Sequence, residues 1–397
     1  MSSTSEPQTQ PLNIVFAADI IDGGQSGGVI SARRIIDSLK KEHNLTLIST
    51  GEQEANKIVL PAFYLPLVKN IMQEMGFTFA WPNGKVLRKA FQDADVIHIQ
   101  FPFLLGYRAL YIARKMDIPV ILGFHVQPEN LMWNIGLKFD WLNSLLYRLF
   151  VGTFYNKGCA VLSPSGFAKT MLKKYGIDVP VEVISNGLPE QFKPGDHQPR
   201  PEFAGKFVIL MVGRFAKEKR HDLVFQAIKQ SPNAEHIQLV ITGQGPLREE
   251  LERQAAMLPN PALVDYVSQP ELIRLYNTAD LLIHASEVEL EGMAVLEAIG
   301  CGLPALIANA DSSAATQFAL NDKFLFSDGD TQDLTAHIDY WYQHRDELAH
   351  SKPLYLEKAR QFSFDYCVKK TVDLYRRTIA GASAKNRSPG KPLKIAS

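Results

Sequence analysis

Short apolar runs alternate with longer amphipathic stretches along the first half of the chain. Residues 12–18 form an apolar, β-branched run typical of a strand, and residues 29–39 carry apolar side chains at helical spacing. Further strand-like runs occupy residues 45–49, 96–100, 119–124 and 160–163. Strands that alternate with helices pair in parallel and are covered by those helices, so this half predicts an α/β domain.

The same alternation begins again after residues 192–201, a stretch of Pro, Gly, Asp, His and Gln that we interpret as a linker. The later strand-like runs lie at 207–212, 239–242, 281–284 and 305–308. The chain is therefore predicted to be an α/β protein of two doubly wound, Rossmann-like domains. Ligands of such sheets bind beyond the carboxyl ends of the strands, so we expect the functional site in the cleft between the domains.

The expected division of the chain is a disordered leader at 1–11, an N-terminal domain at 12–194, a C-terminal domain at 195–363, a helix at 364–380 that returns to the N-terminal domain, and a tail at 381–397. The tail contains lysine and arginine but no acid, which predicts a flexible basic extension. Two domains joined in this way are expected to close about a hinge near residue 195 and in the C-terminal helices.

Composition and charge exclude several classes of protein. Lys plus Arg and Asp plus Glu each number 42, so no global field attracts the chain to nucleic acid. The cysteines, Cys159, Cys301 and Cys367, form no CxxC pair, which argues against a disulfide framework and against a zinc site. No run of about 18 apolar residues and no secretion-signal pattern is present. We therefore expect a cytoplasmic protein that does not span a membrane.

A glycine-rich loop follows the first predicted strand. Gly27 and Gly28 precede a helix, where backbone amides can point at a phosphate or at another close ligand. Gln25 and Ser26 break the spacing of a dinucleotide-binding fingerprint, and Val29 stands where a P-loop needs lysine. Two interpretations remain open here, a phosphate approach at Gly27 and Gly28 and a plain tight turn.

Cationic residues follow the first strand of the second half. Gly213 and Arg214 end this strand, and Lys219 lies at the start of the next helix between Lys217 and Arg220. Arginine binds phosphate oxygens through a planar fork and lysine through a compact charge, so Arg214 and Lys219 could neutralise a leaving diphosphate without a metal. The alternative is a solvated basic helix start, which the helix dipole disfavours.

Within residues 286–302, Glu289 and Glu297 are separated by seven residues, with Gly292 and Met293 between them. If a helix begins near Gly292, its free amides can hold a phosphate, and Glu297 can accept hydrogen bonds from sugar hydroxyls. Glu289, in the preceding loop, would face the transferred sugar. The alternative is an exposed acidic loop before a buried helix.

Taken in order, these motifs resemble the retaining glycosyltransferases of family 4, which have the GT-B fold. The resemblance extends from the loop at 27–29 to the helices past residue 360, with landmarks at 95–98, 123–125, 163–167, 184–187, 213–219, 243–246 and 289–297. Two departures bear on the identity of the donor. Glu291 replaces the usual aromatic residue before the motif glycine, and Leu188 with Pro189 replaces the usual acid after Asn-Gly.

The resemblance implies roles for particular residues. The implied catalytic residues are His125, which contacts the sugar or acceptor, and Glu289, which binds the donor hexose. The implied donor-binding residues are Gly28, Arg214, Lys219, Gly292, Met293, Ala294, Val295 and Glu297. By the same resemblance, Arg214, Lys219 and the amides of 292–295 would bind the diphosphate, and Glu297 would bind the ribose hydroxyls. In the mechanism that the resemblance implies, the diphosphate departs and the acceptor attacks the same face of the sugar. Electrostatic stabilisation of the leaving group would then dominate catalysis. This mechanism implies no protein nucleophile, and neither a metal nor a cofactor is expected.

The resemblance also implies the substrates: a nucleotide sugar, UDP-glucose foremost, and a lipid or glycan acceptor. Residues 123–130 are similar to those of bacterial glycolipid-forming hexosyltransferases. Aromatic and basic residues within 60–89 are typical of an interfacial membrane surface, which 133–154 would extend. We therefore expect a lipid acceptor and peripheral contact with an anionic membrane at its inner face. The alternatives are ordinary helix packing in both segments, a polysaccharide or small soluble acceptor, a nucleotide-sugar epimerase of similar fold, and a non-catalytic nucleotide-binding protein.

Three further features receive structural interpretations. His98 lies in an apolar strand and is interpreted as a satisfied core histidine. The Asp-x-Asp triplets at 93–95 and 328–330 are not interpreted as metal sites. The first lies between a helix and a strand, and the second is a turn in which Asp330 or Thr331 caps a helix.

Overall fold

The computed structural model describes residues 10–23, 27–66, 69–74, 76–134 and 139–387. Within these ranges the chain forms two α/β domains, each built on a parallel sheet that helices cover. The predicted fold class is therefore confirmed. Predictions that concern residues 1–9 and 388–397 lie outside the described residues.

The N-terminal domain contains nine strands and seven α-helices among its described residues. The strands are β1 (Asn13–Ala17), β2 (Asn44–Ser49), β3 (Lys57–Val59), β4 (Ala62–Phe63), β5 (Phe79–Ala80), β6 (Val96–Ile99), β7 (Val120–Gly123), β8 (Ala160–Ser163) and β9 (Val181–Val183). The helices are α1 (Gly27–Glu42), α2 (Lys69–Glu74), α3 (Gly84–Phe91), α4 (Leu104–Lys115), α5 (Pro128–Asn134), α6 (Asp140–Thr153) and α7 (Gly166–Lys174).

The C-terminal domain repeats this architecture. Its strands are β10 (Phe207–Val212), β11 (Ile237–Thr242), β12 (Leu263–Asp265), β13 (Leu281–His284), β14 (Val288–Glu289), β15 (Ala305–Asn309), β16 (Ser312–Ser313) and β17 (Leu325–Ser327). Its helices, and those that follow it, are α8 (His221–Gln230), α9 (Arg248–Ala255), α10 (Gln269–Thr278), α11 (Met293–Gly300), α12 (Thr331–Gln343), α13 (Arg345–Arg360) and α14 (Phe364–Arg387).

The strand order opens a crevice at the edge of each sheet. The N-terminal sheet runs β3-β2-β1-β6-β7-β8-β9, and the C-terminal sheet runs β12-β11-β10-β13-β15-β17. The order reverses between β1 and β6 in the first sheet and between β10 and β13 in the second. Such a switch point opens a crevice at the carboxyl ends of the strands. The loops after β1, β10 and β13 lie at these crevices, and they are the loops that carry the sequence motifs.

Helix α1 shows how the apolar pattern fixes an element. Its buried side chains include Val29, Ala32, Ile36 and Leu39, the four apolar positions whose spacing predicted the helix. The helix begins at Gly27 rather than Val29, so its first turn includes both loop glycines. The amino end of α1 is thereby directed towards the carboxyl edge of the N-terminal sheet.

Helix α14 packs on the N-terminal domain through its first half. The hydroxyl of Tyr375 lies 2.6 Å from Nδ1 of His98, and the guanidinium of Arg377 lies 3.3 Å from the carboxylate of Glu182. His98 is thus a buried strand histidine with a hydrogen-bond partner, as interpreted. The prediction that a flexible tail begins at residue 381 was wrong, because α14 continues to Arg387. Alanine, lysine and arginine favour a helix there in spite of the basic charge.

Two of the remaining predictions concern caps and membrane spans. Asp330 accepts hydrogen bonds from the amides of Gln332 and Asp333 at 2.9 and 3.0 Å, which confirms its interpretation as the cap of α12. No helix within the described ranges has the length and apolar character that crossing a bilayer requires.

Candidate active site

A cavity of about 480 Å³ lies between the two domains at the carboxyl ends of their sheets. The N-terminal domain contributes Gly28, Arg34 and His125 to its lining. The predicted residues that line it from the C-terminal domain are Arg214, Lys219, Glu289, Gly292, Met293, Ala294 and Glu297. The structure thus brings together every predicted site residue except Val295, although these residues come from both halves of the chain.

The N-terminal wall of the cavity is tightly packed around His125. A Cβ on Gly28 would lie 3.2 Å from His125 Cβ, and one on Gly123 would lie 2.7 Å from His125 Cδ2. Glycine at both positions therefore makes room for the imidazole. Burial lowers the pKa of His125 to about 4, so the ring is neutral at neutral pH. Gly27 faces the other domain, where its Cβ would lie 3.2 Å from Met293 Sδ.

The cations predicted to bind a diphosphate are held in the cavity wall. Arg214 donates a hydrogen bond of 2.6 Å to Glu218, whose side chain is 1% exposed. Lys219 is 16% exposed and pairs with Glu289. The alternative of a solvated basic helix start is therefore wrong for these two residues, although it describes Lys217, which is exposed.

The carboxylate of Glu289 is ionised and fixed from several sides. It accepts a hydrogen bond from Lys219 Nζ, and His284 Nε2 lies 3.2 Å from its Oε1 atom. Burial alone would raise the pKa of Glu289, but Lys219 and His284 outweigh it and hold the pKa well below its usual range. The segment is also ordered by pairing, because β14 pairs in parallel with β16. The alternative of an exposed acidic loop is therefore wrong.

Helix α11 begins directly beside Glu289 and directs its amino end into the cavity. Gly292 adopts a φ of +94°, and its Cβ would lie 2.9 Å from that of Ala315, so both conformation and space require glycine. Met293 and Ala294 line the cavity and supply the first amides of the helix. Val295 differs, because its side chain is buried in the core and its amide donates to the carbonyl of Gly292 at 3.0 Å.

Glu297 reaches the cavity one turn further along α11. Its Oε1 atom accepts a hydrogen bond of 2.7 Å from Arg34 of the N-terminal domain, and its Oε2 atom accepts one of 3.3 Å from the hydroxyl of Tyr276. Burial raises the pKa of Glu297, and Arg34 opposes this effect. The carboxylate thus stands where it can accept further hydrogen bonds from the cavity.

Sequence reasoning missed several polar residues that complete the site. Glu291 was noted only as a departure from the family pattern. Its carboxylate accepts hydrogen bonds from the hydroxyl of Ser185, from the backbone amide of Asn186 at 3.1 Å and from the side-chain amide of Asn186 at 2.5 Å. Burial raises the pKa of Glu291 to about 7. His284 and Arg34 were also not identified. His284 ends strand β13, and a polar residue at the end of an apolar run was the available signal.

Two protein-family models match consecutive parts of the chain. Residues 25–192 match the family described as Glycosyltransferase Family 4, and residues 192–353 match the family described as Glycosyl transferases group 1. The matches meet at residue 192, where the segment that we interpret as a linker begins. Together they include all of the cavity-lining residues named above.

Relatives with known activities align with most of the chain. It is 26% identical to the alpha-monoglucosyldiacylglycerol synthase of Streptococcus pneumoniae, over 71% of this chain and 67% of that protein. It is 24% identical to a GDP-mannose-dependent alpha-mannosyltransferase of Corynebacterium glutamicum, over 75% of this chain and 72% of that protein.

Solved structures share the fold. Anabaena HepE in complex with UDP and glucose superposes with a TM-score of 0.71 at 19% identity, over 92% of this chain and 100% of that one. Sucrose-phosphate synthase from Thermosynechococcus elongatus superposes with a TM-score of 0.71 at 16% identity, over 94% of this chain and 100% of that one. With family matches that together span residues 25–353, this chain belongs to the family 4-like glycosyltransferases of the GT-B fold.

Proposed function

We propose that this glycosyltransferase moves a hexose, glucose from UDP-glucose foremost, onto a membrane lipid with retention of anomeric configuration. The observation that carries the donor half of the proposal is the charge arrangement in the cavity, where Arg214 and Lys219 stand beside the ionised Glu289. Cations suit a nucleoside diphosphate, and a carboxylate suits the hydroxyls of a sugar. The two requirements of a nucleotide-sugar site are thus met in adjacent places.

The proposed reaction needs leaving-group stabilisation more than a nucleophile. The bond from the anomeric carbon to the diphosphate breaks, and its electron pair goes to the phosphate oxygen, beside Arg214, Lys219 and the amides of Met293 and Ala294. The acceptor hydroxyl then attacks the same face, and its proton passes to the departing phosphate. Preorganised cations and amides favour this charge development because they need no reorganisation. His125, neutral and held by its glycine neighbours, would contact the hexose without adding positive charge.

Retention is supported by the chemistry of the relatives. Both relatives described above carry the alpha designation in their names. A nucleotide sugar such as UDP-glucose is itself α-linked, so an α-linked product requires retention. We expect the same outcome here, and NMR of the product's anomeric proton tests it. A β-linked product would contradict retention without contradicting glycosyl transfer.

The donor site can be tested by ligand-dependent thermal stability. Selective stabilisation by UDP and UDP-glucose over their GDP and ADP counterparts is expected, about 2.7 kcal/mol at a hundredfold excess over Kd. EDTA should leave this stabilisation unchanged, because no metal takes part in the proposed site. No response to any nucleotide sugar would contradict the donor site. Release of an epimerised nucleotide sugar without an acceptor would instead support the epimerase alternative.

An exposed apolar face on α6 supports the lipid acceptor. Trp141, Leu145 and Leu149 are spaced four residues apart on one side of this helix and are 67%, 54% and 49% exposed. Ordinary helix packing therefore does not account for them. The preceding helix, α5, packs against α6 and against residues 217–219, the segment that includes the cavity-lining Lys219. By contrast, Phe77 and Phe79 of the other segment pack against neighbouring aromatic rings.

A double substitution, Trp141→Ser with Leu145→Ser, is expected to weaken sedimentation with anionic lipid vesicles by about tenfold or more, since two apolar side chains lose their contact with the bilayer. Transfer to a lipid acceptor should fall in parallel. The matched control is Met257→Ser, which removes a side chain that is 61% exposed on the C-terminal domain. Equal sedimentation of the double variant and the unmodified protein would contradict the membrane surface and favour a soluble acceptor.

A further inference from the structure

One ion pair crosses the cleft at the donor cavity. Arg34 belongs to α1 of the N-terminal domain, and Glu297 belongs to α11 of the C-terminal domain. Their side chains are 2.7 Å apart and are 18% and 11% exposed, and both line the cavity. A pair so shielded from solvent interacts more strongly than a surface ion pair does.

The surroundings of the pair fix both partners. The guanidinium of Arg34 lies over the ring of Phe192, 5.5 Å from its centre. The charged and titratable groups that face Glu297 are Arg34 from α1, the hydroxyl of Tyr276 from α10, and the thiol of Cys301 after α11. Arg34 is the cation in this set, so the negative charge of Glu297 depends chiefly on it.

We propose that Arg34 is a positioning residue of the donor site, which holds the Glu297 carboxylate ionised and oriented for the hydroxyls of the donor's ribose. The inference rests on the proposed function, since it is the nucleotide sugar that brings the ribose. A carboxylate has about four acceptor positions. Arg34 and Tyr276 each use one, so two remain for adjacent ribose hydroxyls. Arg34 therefore assists the donor and does not compete with it.

The location of Arg34 adds a consequence for domain closure. The ribose contact lies in the C-terminal domain, but the cation that prepares it comes from the N-terminal domain. Arg34 can reach Glu297 only when the cleft is closed to the distance seen here. Donor binding and closure therefore favour each other, as linked equilibria must.

Loss of Arg34 should appear as a pH dependence of donor affinity. Burial already raises the pKa of Glu297, and without Arg34 nothing of opposite charge offsets it. A protonated Glu297 loses acceptor positions for the ribose. Affinity should therefore be retained at high pH and lost as pH falls through the raised pKa, which places the loss at a higher pH than for an ordinary glutamate.

Calorimetric titration with UDP between pH 6 and 8.5 tests this. Arg34→Met is expected to bind UDP more weakly than the unmodified protein at pH 6 and to recover as pH rises, with a change of up to about tenfold for each pH unit below the raised pKa. Arg34→Lys should restore most of the affinity. The control is Arg33→Met, because Arg33 neighbours Arg34 on α1 but pairs with Glu54 at 2.6 Å, within the N-terminal domain.

The outcomes separate the two proposals. UDP binding by the unmodified protein supports the donor site whatever Arg34 does, and its absence overturns both proposals. With binding established, an Arg34→Met variant that matches the unmodified protein, binds more tightly, or loses affinity equally at every pH overturns the role of Arg34. If this variant melts before binding can be measured, Arg34→Met with Glu297→Gln removes both charges. Its affinity should then be weak and vary with pH no more steeply than that of the unmodified protein, in which Glu291 of the same cavity also titrates. A steeper pH dependence would again overturn the role.

Discussion

Replacing Lys219 by methionine is expected to lower kcat/KM for sugar transfer by about a thousandfold. Lys219 is the cation that contacts Glu289 directly, and it lies within the cavity wall together with Arg214. Methionine keeps much of the side-chain volume but removes the charge that would neutralise the departing diphosphate. It also leaves Glu289 buried with His284 as its remaining neighbour, which raises the pKa of Glu289 and weakens its contact with the hexose.

Steady-state kinetics with the donor identified by thermal stability measures this effect. Lys219→Arg should recover much of the activity, since it restores a cation at the same place. The matched control is Lys217→Met, two residues earlier on the same turn, where the side chain is exposed and outside the cavity. If Lys217→Met and Lys219→Met reduced kcat/KM equally, the charge of this turn and not the position of Lys219 would matter. The diphosphate site would then be wrongly assigned.

The fold and much of the site could be predicted from the sequence because their signals are local. The apolar spacing at Val29, Ala32, Ile36 and Leu39 is the buried face of α1, whatever that helix packs against. Gly292 preceding an apolar run marks the start of α11, because its positive φ excludes other residues. Parallel sheets then place the carboxyl ends of the strands together, so motifs far apart in sequence meet in one cleft.

The contacts that the sequence could not supply depend on how the domains dock. Arg34 and Glu297 are 263 residues apart, and Ser185 and Glu291 are 106 residues apart. No periodicity of the sequence relates such positions, because the helix or loop that carries each residue forms independently of the residue it contacts. Glu291 in particular was understood only as a substitution for an aromatic residue. The structure gives it a partner in Asn186, on the segment that leaves the N-terminal domain.

The end of α14 was misplaced for a different physical reason. The boundary at residue 380 was drawn from the change to basic composition, whereas helix formation depends on the propensity of each residue. Ala382 and Ala384 continue the helix well, and Gly381 alone does not end it. Charge composition is therefore a poor guide to the secondary structure of this segment.

Replacing Glu289 by glutamine is expected to reduce kcat for sugar transfer by a factor of about a hundred to a thousand while leaving the affinity for UDP nearly unchanged. The carboxylate is proposed to bind the hexose, and UDP carries no hexose. Loss of the carboxylate should therefore raise the free energy of the transition state, in which the sugar gains positive charge at the anomeric carbon. The diphosphate could even bind more tightly, because Lys219 would no longer be paired with an anion.

Parallel measurement of UDP affinity and of transfer distinguishes this role from a structural one. Glu287→Gln is the matched control, since Glu287 lies two residues earlier and pairs with Arg220 at 2.6 Å, outside the cavity lining. A role in holding the loop together would lower UDP affinity and transfer by the same factor, because a disordered loop also displaces the amino end of α11. A role in binding the hexose lowers transfer alone. Unchanged transfer by Glu289→Gln would remove the carboxylate from the mechanism and leave Lys219 and Arg214, which are proposed to act on the diphosphate, as the principal source of catalysis.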